Sequence, residues 1–306
     1  MIKTKVLVVG GTGFIGKNLI LKLIKKNCYL IHSVSLNKIS NSEKIKNVKY
    51  FFFDISNKKK LNKFLIDKYD YIFNLGGNID HNDKKKTYQA HYLGFKNLSN
   101  FFMKKKIKRF IQIGSSTEYE FARAPQSENT KINVNKLNSS YSLSKYKSTI
   151  EAQNLYIQKK FPIIIVRIFL VYGPGQKSNR LVPYVINSAL KNLSFKCSDG
   201  KQLRDYIYID DVINFLILLM KKNSYDGEIF NLGTGNPIKI KDLINKICKI
   251  IKKGKPNFGI VNLRRDEPLK LFANIHKVKK LLKWTPKYNL QYGLLKTIDY
   301  YKKKAF

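Results

Sequence analysis

The stretch Lys5-Val-Leu-Val-Val9, followed by Gly10-Gly11-Thr12-Gly13-Phe14-Ile15-Gly16, decides the fold of this chain. The short apolar run predicts a buried strand, and the apolar pattern from Phe14 to about Lys26 predicts a helix. Glycines at 10, 13 and 16 allow a tight turn and close approach of a pyrophosphate, with the N–H groups of the helix terminus facing the anion. An ordinary glycine-rich turn is the alternative, but its place in the first strand–helix unit favours a dinucleotide phosphate site.

The same alternation of strand and helix continues along the 306-residue chain. Further strands are predicted near 29–36, 48–53, 71–75, 109–113 and 163–167, with helices near 61–65, 87–105 and 141–159. This order predicts a Rossmann-type α/β fold, a doubly wound parallel sheet with helices on both faces. Beyond Gly173-Pro-Gly175 the predicted elements are mostly short helices. We therefore expect a dinucleotide-binding domain over residues 1–168, to which about 205–232 return, and a smaller, mainly substrate-binding α/β domain over 169–306.

The end of the second predicted strand reads Ser33-Val-Ser35-Leu-Asn37-Lys38 and contains no Asp or Glu. A carboxylate there ordinarily binds the ribose hydroxyls of NAD, whereas a hydroxyl and an ammonium suit a 2′-phosphate better. Ser35 and Lys38 therefore favour NADP over NAD, with one more surface lysine as the alternative for Lys38. Asp54, at the end of the third strand, can reach the adenine edge, unless it is an exposed turn aspartate.

The segment Tyr141-Ser-Leu-Ser-Lys145 places a phenol and an ammonium on one face of a predicted helix. A free tyrosine titrates near pH ~10, and a nearby cation favours the phenolate, which makes the phenol usable as a general acid or base near neutrality. Such pairs also arise by chance in a chain with 19 tyrosines and 52 lysines. A functional role for the pair is supported by Ser115-Ser116, which follow a predicted strand at the carboxyl edge of the sheet, where sites of such folds lie.

Together these motifs resemble the extended branch of the short-chain dehydrogenase/reductases, the NAD-dependent epimerase/dehydratase family of nucleotide-sugar enzymes. The resemblance covers nearly the whole chain. In order, its motifs are Gly10-x-x-Gly13-x-x-Gly16, Asn74-Leu-Gly-Gly77, Ser115-Ser116, Tyr141-x-x-x-Lys145, Arg167 through Val171-Tyr-Gly-Pro-Gly-Gln176, Leu203-Arg-Asp-Tyr-Ile-Tyr-Ile-Asp-Asp211, Asn231-Leu-Gly-Thr-Gly235 and Lys283-Trp-Thr-Pro286.

The resemblance implies that Tyr141 is the acid/base, that Lys145 binds the nicotinamide ribose and lowers the pKa of Tyr141, and that Ser116 hydrogen-bonds the reacting sugar oxygen. Arg204 and Arg264 resemble the arginines that hold the substrate diphosphate, with surface ion pairing as the alternative. His81 is a further candidate substrate contact, unless it is a solvated loop histidine. No metal site is expected, and the implied cofactor-binding residues are Gly10, Gly13, Phe14, Ile15, Gly16, Ser35, Lys38, Asp54, Ile55, Leu75, Gly76, Gly77, Tyr141 and Lys145.

Three residues depart from the pattern of the family. Leu170 stands where many relatives have an Asn that contacts the nucleotide diphosphate, so the details of substrate binding are open. His91 replaces an Asn that orders a water molecule in a proton relay. Glu120 takes the place of the usual Gly after Tyr119.

The implied reaction is NAD(P)-dependent oxidoreduction at C4 of a nucleotide-activated hexose, by a 4-ketoreductase or a 4-epimerase, for surface polysaccharide such as lipopolysaccharide. Glu118 keeps a 4,6-dehydratase open, because it stands two residues after Ser116, at the spacing of the dehydratase glutamate that removes the C5 proton. Against dehydration, Thr117 stands where these dehydratases often have an Asp, and the loop to Tyr119 is one residue shorter. Many relatives are homodimers, for which helices 87–105 and 141–159 are the candidate interface.

The net charge of +39 suggests a rival hypothesis, a non-enzymatic dinucleotide-fold protein that binds nucleic acid or anionic membrane. Only seven of the 59 basic residues are arginine, however, and the lysines are spread along the chain. Because phosphate and base recognition favours arginine, we expect neither a specific nucleic acid nor a membrane partner. Three separated cysteines, no apolar stretch near ~20 residues and no secretory signal favour a reducing cytoplasm.

Overall fold

A computed structural model describes residues 3–78, 82–222, 224–263 and 267–305. The strands are β1 (Thr4–Val9), β2 (Tyr29–Ser35), β3 (Val48–Phe52), β4 (Tyr71–Asn74), β5 (Arg109–Ser115), β6 (Ile163–Ile168), β7 (Leu170–Tyr172), β8 (Ser194–Lys196), β9 (Leu203–Arg204), β10 (Tyr206–Tyr208), β11 (Ile229–Leu232), β12 (Ile238–Lys239), β13 (Lys255–Asn257) and β14 (Lys270–Leu271). The α-helices are α1 (Phe14–Ile24), α2 (Lys58–Phe64), α3 (Lys84–Tyr88), α4 (Gly94–Met103), α5 (Ser140–Lys159), α6 (Leu181–Leu190), α7 (Ile209–Lys221), α8 (Ile240–Ile251), α9 (His276–Leu282) and α10 (Leu290–Ala305).

Seven strands form the main sheet, in the order β3-β2-β1-β4-β5-β6-β11. Strand β1 pairs in parallel with both β2 and β4, so the chain order reverses on either side of it. Ligands of open α/β sheets bind at the carboxyl ends of the strands at such a reversal. Val9 is in register with Val34 and Asn74, which places Gly10 and Leu75 side by side at this edge. The predicted doubly wound α/β fold is confirmed.

One predicted helix differs from the structure. The sequence predicts one regular helix over residues 87–105, but α3 and α4 are joined by a π-helical turn over Gln89–Leu93. Such turns are rare and frequently occur at functional sites. The sequence pattern does not reveal this turn, because the residues on either side of it, Tyr88 and Gly94, are helical and the apolar periodicity hardly changes across a single turn.

The chain divides into two compact units, each built from separate stretches. The first unit contains the described residues of Met1–Glu118, Asn133–Arg167 and Ile213–Phe230. Its core includes fully buried apolar side chains from strands and helices alike, such as Leu7, Ile72, Phe95 and Phe110. Burial of this kind dominates the stability of α/β folds, at roughly 25 cal/mol per Å² of apolar surface.

The second unit contains the described residues of Tyr119–Ile132, Ile168–Val212 and Asn231–Phe306. Its strands form small sheets, in which β7 pairs with β10, β9 lies between β12 and β14, and β8 pairs with β13. Asn231 connects the early segment to the later one, because its Oδ1 accepts a 2.7 Å hydrogen bond from the Tyr119 hydroxyl and its backbone N–H donates to Glu128. Among the described helices, none is long and apolar enough to cross a membrane.

Candidate active site

The glycine-rich turn connects β1 to α1 at the reversal point of the sheet. Gly10 adopts φ +80°, and a Cβ at this position would lie 2.8 Å from the Gly76 backbone nitrogen, so the turn requires glycine. Gly13 precedes α1 without any side-chain cap, and the first turn of the helix holds no acidic residue. The first N–H groups of α1 therefore fit an anion such as a pyrophosphate. Phe14, Ile15 and Gly16 form that first turn.

The ends of the neighbouring strands surround this turn. The Ser35 hydroxyl accepts hydrogen bonds from the Thr12 backbone N–H at 3.2 Å and from the Thr12 hydroxyl at 3.0 Å. Lys38 is exposed, whereas Ile55 is buried. Asp54 is half-buried, and its Oδ1 accepts a 2.8 Å hydrogen bond from the Ser56 backbone N–H. On the other side of β1, the Leu75 backbone N–H donates to the Val9 carbonyl at 3.0 Å.

Strand β5 and helix α5 carry the predicted catalytic residues. Ser116 is buried and begins a 3-10 turn that directly follows β5. Helix α5 begins after Ser139, whose hydroxyl accepts from the Ser142 backbone N–H, and it carries Tyr141 in its first turn. Lys145 lies one turn further, with its Nζ 5.9 Å from the Tyr141 ring centroid. The structure thus places a hydroxyl turn, a phenol and an ammonium in the first unit, at the carboxyl end of β5.

Lys145 is buried, and its Nζ donates a 2.8 Å hydrogen bond to the Ile113 carbonyl oxygen. Burial lowers the pKa of Lys145 to about 8, while the nearby Glu118 carboxylate acts in the opposite direction. Desolvation penalises the charged form of a buried amine, and an opposite charge favours it. At neutral pH this lysine therefore keeps its positive charge inside the protein.

His91 lies in the π-helical turn and contacts Tyr141. The two rings meet edge to face, with centroids 4.9 Å apart and an interplanar angle of 78°. The Nε2 atom of His91 lies 3.1 Å from the Asn78 backbone carbonyl oxygen, and Gly77 packs against the imidazole. His91 therefore connects the loop after β4, where Gly76 and Gly77 lie, to the predicted catalytic tyrosine.

Glu118 is the predicted base of the alternative dehydratase reaction, a role in which its carboxylate must reach the sugar. Its side chain is fully buried. Its Oε1 accepts from the Ser115 backbone N–H, and its Oε2 accepts from Thr149 Oγ1 and from Arg167 Nε, each at 2.8 Å. Three donors therefore occupy the two oxygens of Glu118, and one of them, Arg167, is also its ion-pair partner.

A separate cavity of about 450 Å³ lies within the second unit. Arg204 lines it and is buried, donating through Nη2 to Glu267 at 2.7 Å and through Nη1 to the Leu203 carbonyl oxygen at 2.9 Å. Leu170, which replaces the usual Asn, also faces the cavity. Other residues of the lining are Tyr184, Lys196 and Gln202. The predicted substrate residues His81 and Arg264 lie outside the described residues.

Sequence reasoning did not single out several residues that the structure adds. Thr149 and Glu267 carry no motif of their own, and Arg167 appeared only as the beginning of a motif. Thr149 could have been found from helical spacing, because it lies four residues after Lys145 on the same face of α5. Glu267 could not, since it lies 63 residues from its partner Arg204.

Three features define a Rossmann-type dinucleotide-binding protein: the parallel sheet, the glycine turn before the uncapped N-terminus of α1 at its reversal point, and the Tyr–Lys pair. The profile of the NAD dependent epimerase/dehydratase family matches residues 6–233, and the chain belongs to this family. The predicted family is therefore confirmed, and with it the prediction of an enzyme.

Similar proteins carry different activities within this family. The dTDP-D-glucose 4,6-dehydratase of Dictyostelium discoideum is 30% identical over 256 residues, which are 75% of this chain and only 58% of that protein. The UDP-N-acetyl-alpha-D-glucosaminuronate decarboxylase of Bacillus cytotoxicus is 27% identical over 248 residues, 76% of this chain and 75% of that protein. The UDP-glucuronic acid 4-epimerase of Bacillus cereus, solved in complex with UDP-glucuronic acid and NAD, aligns with TM-score 0.87 and 25% identity over 98% of this chain and 100% of that one.

Proposed function

We propose that this protein is an NAD(P)-dependent oxidoreductase that acts at C4 of a nucleotide-activated hexose, as a 4-ketoreductase or a 4-epimerase. The observation that carries the proposal is the buried Lys145 ammonium one helical turn from Tyr141, beside the Ser116 turn at the carboxyl end of β5. This is the arrangement that acid–base chemistry at a carbinol or carbonyl oxygen needs.

Each residue has a role in this proposal. The dinucleotide, when bound, supplies the hydride acceptor or donor. Tyr141 takes the proton from the C4 hydroxyl or returns it to the C4 carbonyl oxygen, and Ser116 hydrogen-bonds that oxygen. Lys145 places a positive charge near the phenol, which favours the phenolate, and it binds the nicotinamide ribose. The N–H groups at the beginning of α1, after Gly13, hold the pyrophosphate.

NADP is the proposed cofactor, although the solved epimerase that resembles this chain contains NAD. The preference for NADP is supported by the absence of a carboxylate from Ser33 to Lys38. Lys38 is exposed and able to approach a 2′-phosphate.

The cavity of the second unit is the proposed site for the nucleotide portion of the substrate. Arg204 lines it with Lys196, and both are cations suited to a diphosphate. A substrate phosphate would compete with Glu267 for the Arg204 guanidinium. A nucleotide-sugar substrate is further supported by the epimerase from Bacillus cereus, whose structure contains UDP-glucuronic acid.

A 4,6-dehydratase is the second candidate, because dTDP-D-glucose 4,6-dehydratases are among the similar proteins. The contacts of Glu118 weigh against it, since Arg167, Thr149 and the Ser115 N–H already occupy its oxygens.

The test is incubation of the enzyme in D₂O with UDP-, dTDP-, CDP- and GDP-hexoses and their 4-keto forms, with NAD(P)⁺ or NAD(P)H. We expect either interconversion of C4 epimers or stoichiometric consumption of NAD(P)H with a 4-keto sugar. Catalytic formation of a 4-keto-6-deoxy product with deuterium at C5, lost in Glu118→Gln, would instead establish dehydration. Tyr141→Phe is the control that must abolish whichever reaction is found.

We further propose that the protein works in the cytoplasm as a homodimer that supplies surface polysaccharide synthesis. Exposed apolar side chains on α3 and α5, namely Tyr88, Ile150 and Ile157, support an interface on these helices. Light scattering should give the mass of two chains, and Ile157→Asp should reduce it to the mass of one.

A further inference from the structure

We infer that Glu118 is a positioning residue, whose carboxylate fastens the Ser116 turn to the helix of Tyr141 and Lys145 through the Thr149 hydroxyl. This inference rests on the proposed function of those three residues. It gives a role in the reaction to Thr149 and Arg167, neither of which is among the described residues that line the second-unit cavity.

The contacts of Glu118 join three elements of the first unit. One carboxylate oxygen accepts from the Ser115 backbone N–H in β5, directly before Ser116. The other accepts from Thr149 in α5 and from Arg167 in β6. Because all three distances are 2.8 Å, a single side chain sets the spacing between the turn and the helix.

The charge of this carboxylate is compensated inside the protein. Glu118 and Thr149 are fully buried, and Arg167 is 2% exposed. Removing one member of such a pair leaves an isolated charge in the interior, which is strongly destabilising. A Cβ at Gly114 would lie 2.6 Å from the Glu118 Oε1 and 3.1 Å from Arg167 Cγ, so the neighbouring strand is also shaped around the pair.

Thr149 connects this pair to the chemistry. It lies one turn after Lys145 and two turns after Tyr141, so the three side chains share one face of α5. Misplacing a reacting group by about 1 Å can reduce a rate by about 10². The Glu118 carboxylate also favours the charged form of Lys145. Loss of the Thr149 hydroxyl should therefore disturb catalysis without removing any group that touches the substrate.

The test uses Thr149→Val, which keeps the side-chain shape and both buried charges. We expect kcat to fall about tenfold, while the dissociation constant for NADPH, measured by fluorescence, changes less than twofold. Thr149→Ser restores a hydroxyl at the same place and should recover kcat to within about twofold of the unsubstituted enzyme. A purely structural hydroxyl would lower the melting temperature and leave the kcat of the folded enzyme unchanged, which would overturn the inference.

Thr297→Val is the matched control. Thr297 is also fully buried in a helix, but its hydroxyl donates to the Gly293 carbonyl oxygen in the second unit, at 2.6 Å. Thr297→Val should leave kcat within about twofold while it lowers the melting temperature. An equal loss of kcat in both variants would contradict a specific role for Thr149.

Hydrogen exchange provides a readout that needs no substrate. In Thr149→Val, the amides of residues 114–118 should exchange faster than in the unsubstituted protein, and in Thr297→Val they should not. If no nucleotide sugar is turned over at all, the proposed function fails and this measurement still tests the positioning role. Unchanged exchange in the Ser116 turn would disprove that role, even in an enzyme whose C4 chemistry is established.

Discussion

At the carboxyl end of β5, the charged side chains of Lys145 and Glu118 are buried. Lys145 donates a hydrogen bond to the Ile113 carbonyl oxygen, and Glu118 accepts one from Arg167. Leu170, which lines the cavity of the second unit, is 37% exposed. Arg204 forms an ion pair there with Glu267, whose side chain is 23% exposed. The first site lies on a seven-residue strand and a 20-residue helix. In the second, the charged residues Lys196, Arg204 and Glu267 lie on two- or three-residue strands and loops, while helices α6 and α8 supply much of the apolar lining.

The difference separates chemistry from selection of the substrate. Side chains held on long elements by buried hydrogen bonds keep one geometry, as proton transfer requires. A pocket whose charged residues lie on short strands and loops can change those residues while the helices that line it stay the same. We therefore expect substitutions at the first site to change kcat or stability, and substitutions at the second to change KM.

The largest effect is expected from Tyr141→Phe, which removes the proton donor and keeps the ring that packs against His91. General acid–base groups contribute about 10²–10⁴-fold in rate, so kcat should fall by that factor with NADPH binding nearly unchanged. Steady-state kinetics and fluorescence titration measure the two quantities. Near-normal turnover would contradict the assignment of the chemistry to the first site.

Lys145→Met should lower kcat by less than Tyr141→Phe does, and yet stabilise the fold. Burial lowers the pKa of Lys145 from 10.5 to about 8, which corresponds to a cost of about 3 kcal/mol for the charged form at pH 7. The unfolded chain binds the proton more tightly than the native one, so the cost is full below about pH 8 and disappears as the pH rises toward 10.5.

Urea unfolding at pH 7 and at pH 9.5 measures this effect, and the gain from Lys145→Met should shrink at the higher pH. Lys147→Met, at an exposed position of the same helix, is the control and should change stability little at either pH. A gain that does not depend on pH would mean that desolvation of the ammonium is not its source.

Arg204→Lys tests the second-unit cavity. The substitution keeps the charge but loses the planar fork that matches a phosphate, so KM for the nucleotide sugar should rise about tenfold, or about 1.4 kcal/mol. The value of kcat should stay within about twofold. Arg180→Lys, at an exposed position outside the cavity lining, should leave both constants unchanged. A fall in kcat alone would remove the distinction between the two sites.

The smallest effect is expected at the cofactor end of the first unit. Lys38→Ala should reduce the preference for NADPH over NADH about threefold, because an exposed ion pair is worth less than about 1 kcal/mol. Lys22→Ala, which removes an exposed lysine from α1, should leave the preference unchanged. A tenfold preference of the unsubstituted enzyme for NADH would contradict the proposed use of NADP.

Much of the first unit could be predicted, because each of its motifs lies within one strand–helix connection. The turn from Gly10 to Gly16 and the Tyr141–Lys145 pair are local patterns, and local periodicity decides which face they occupy. The small sheets of the second unit could not be predicted at this level, although helices were predicted where α6, α8, α9 and α10 lie. The strands of these sheets have two or three residues and are too short for periodicity. Asp205 is held by Thr234, Gly235 and Ala273, all distant in sequence.

The sequence by itself determined the parallel α/β sheet, the position of the glycine turn and the helical spacing of the tyrosine and the lysine. These features depend on neighbours a few residues apart, where backbone geometry decides contact. The tertiary structure alone decided where the Glu118 carboxylate points. The spacing from Ser116 to Glu118 resembles that of a catalytic base, but Arg167, 49 residues away, binds the carboxylate in the interior. A buried charge must find its partner wherever the fold supplies one, and no local pattern contains that information.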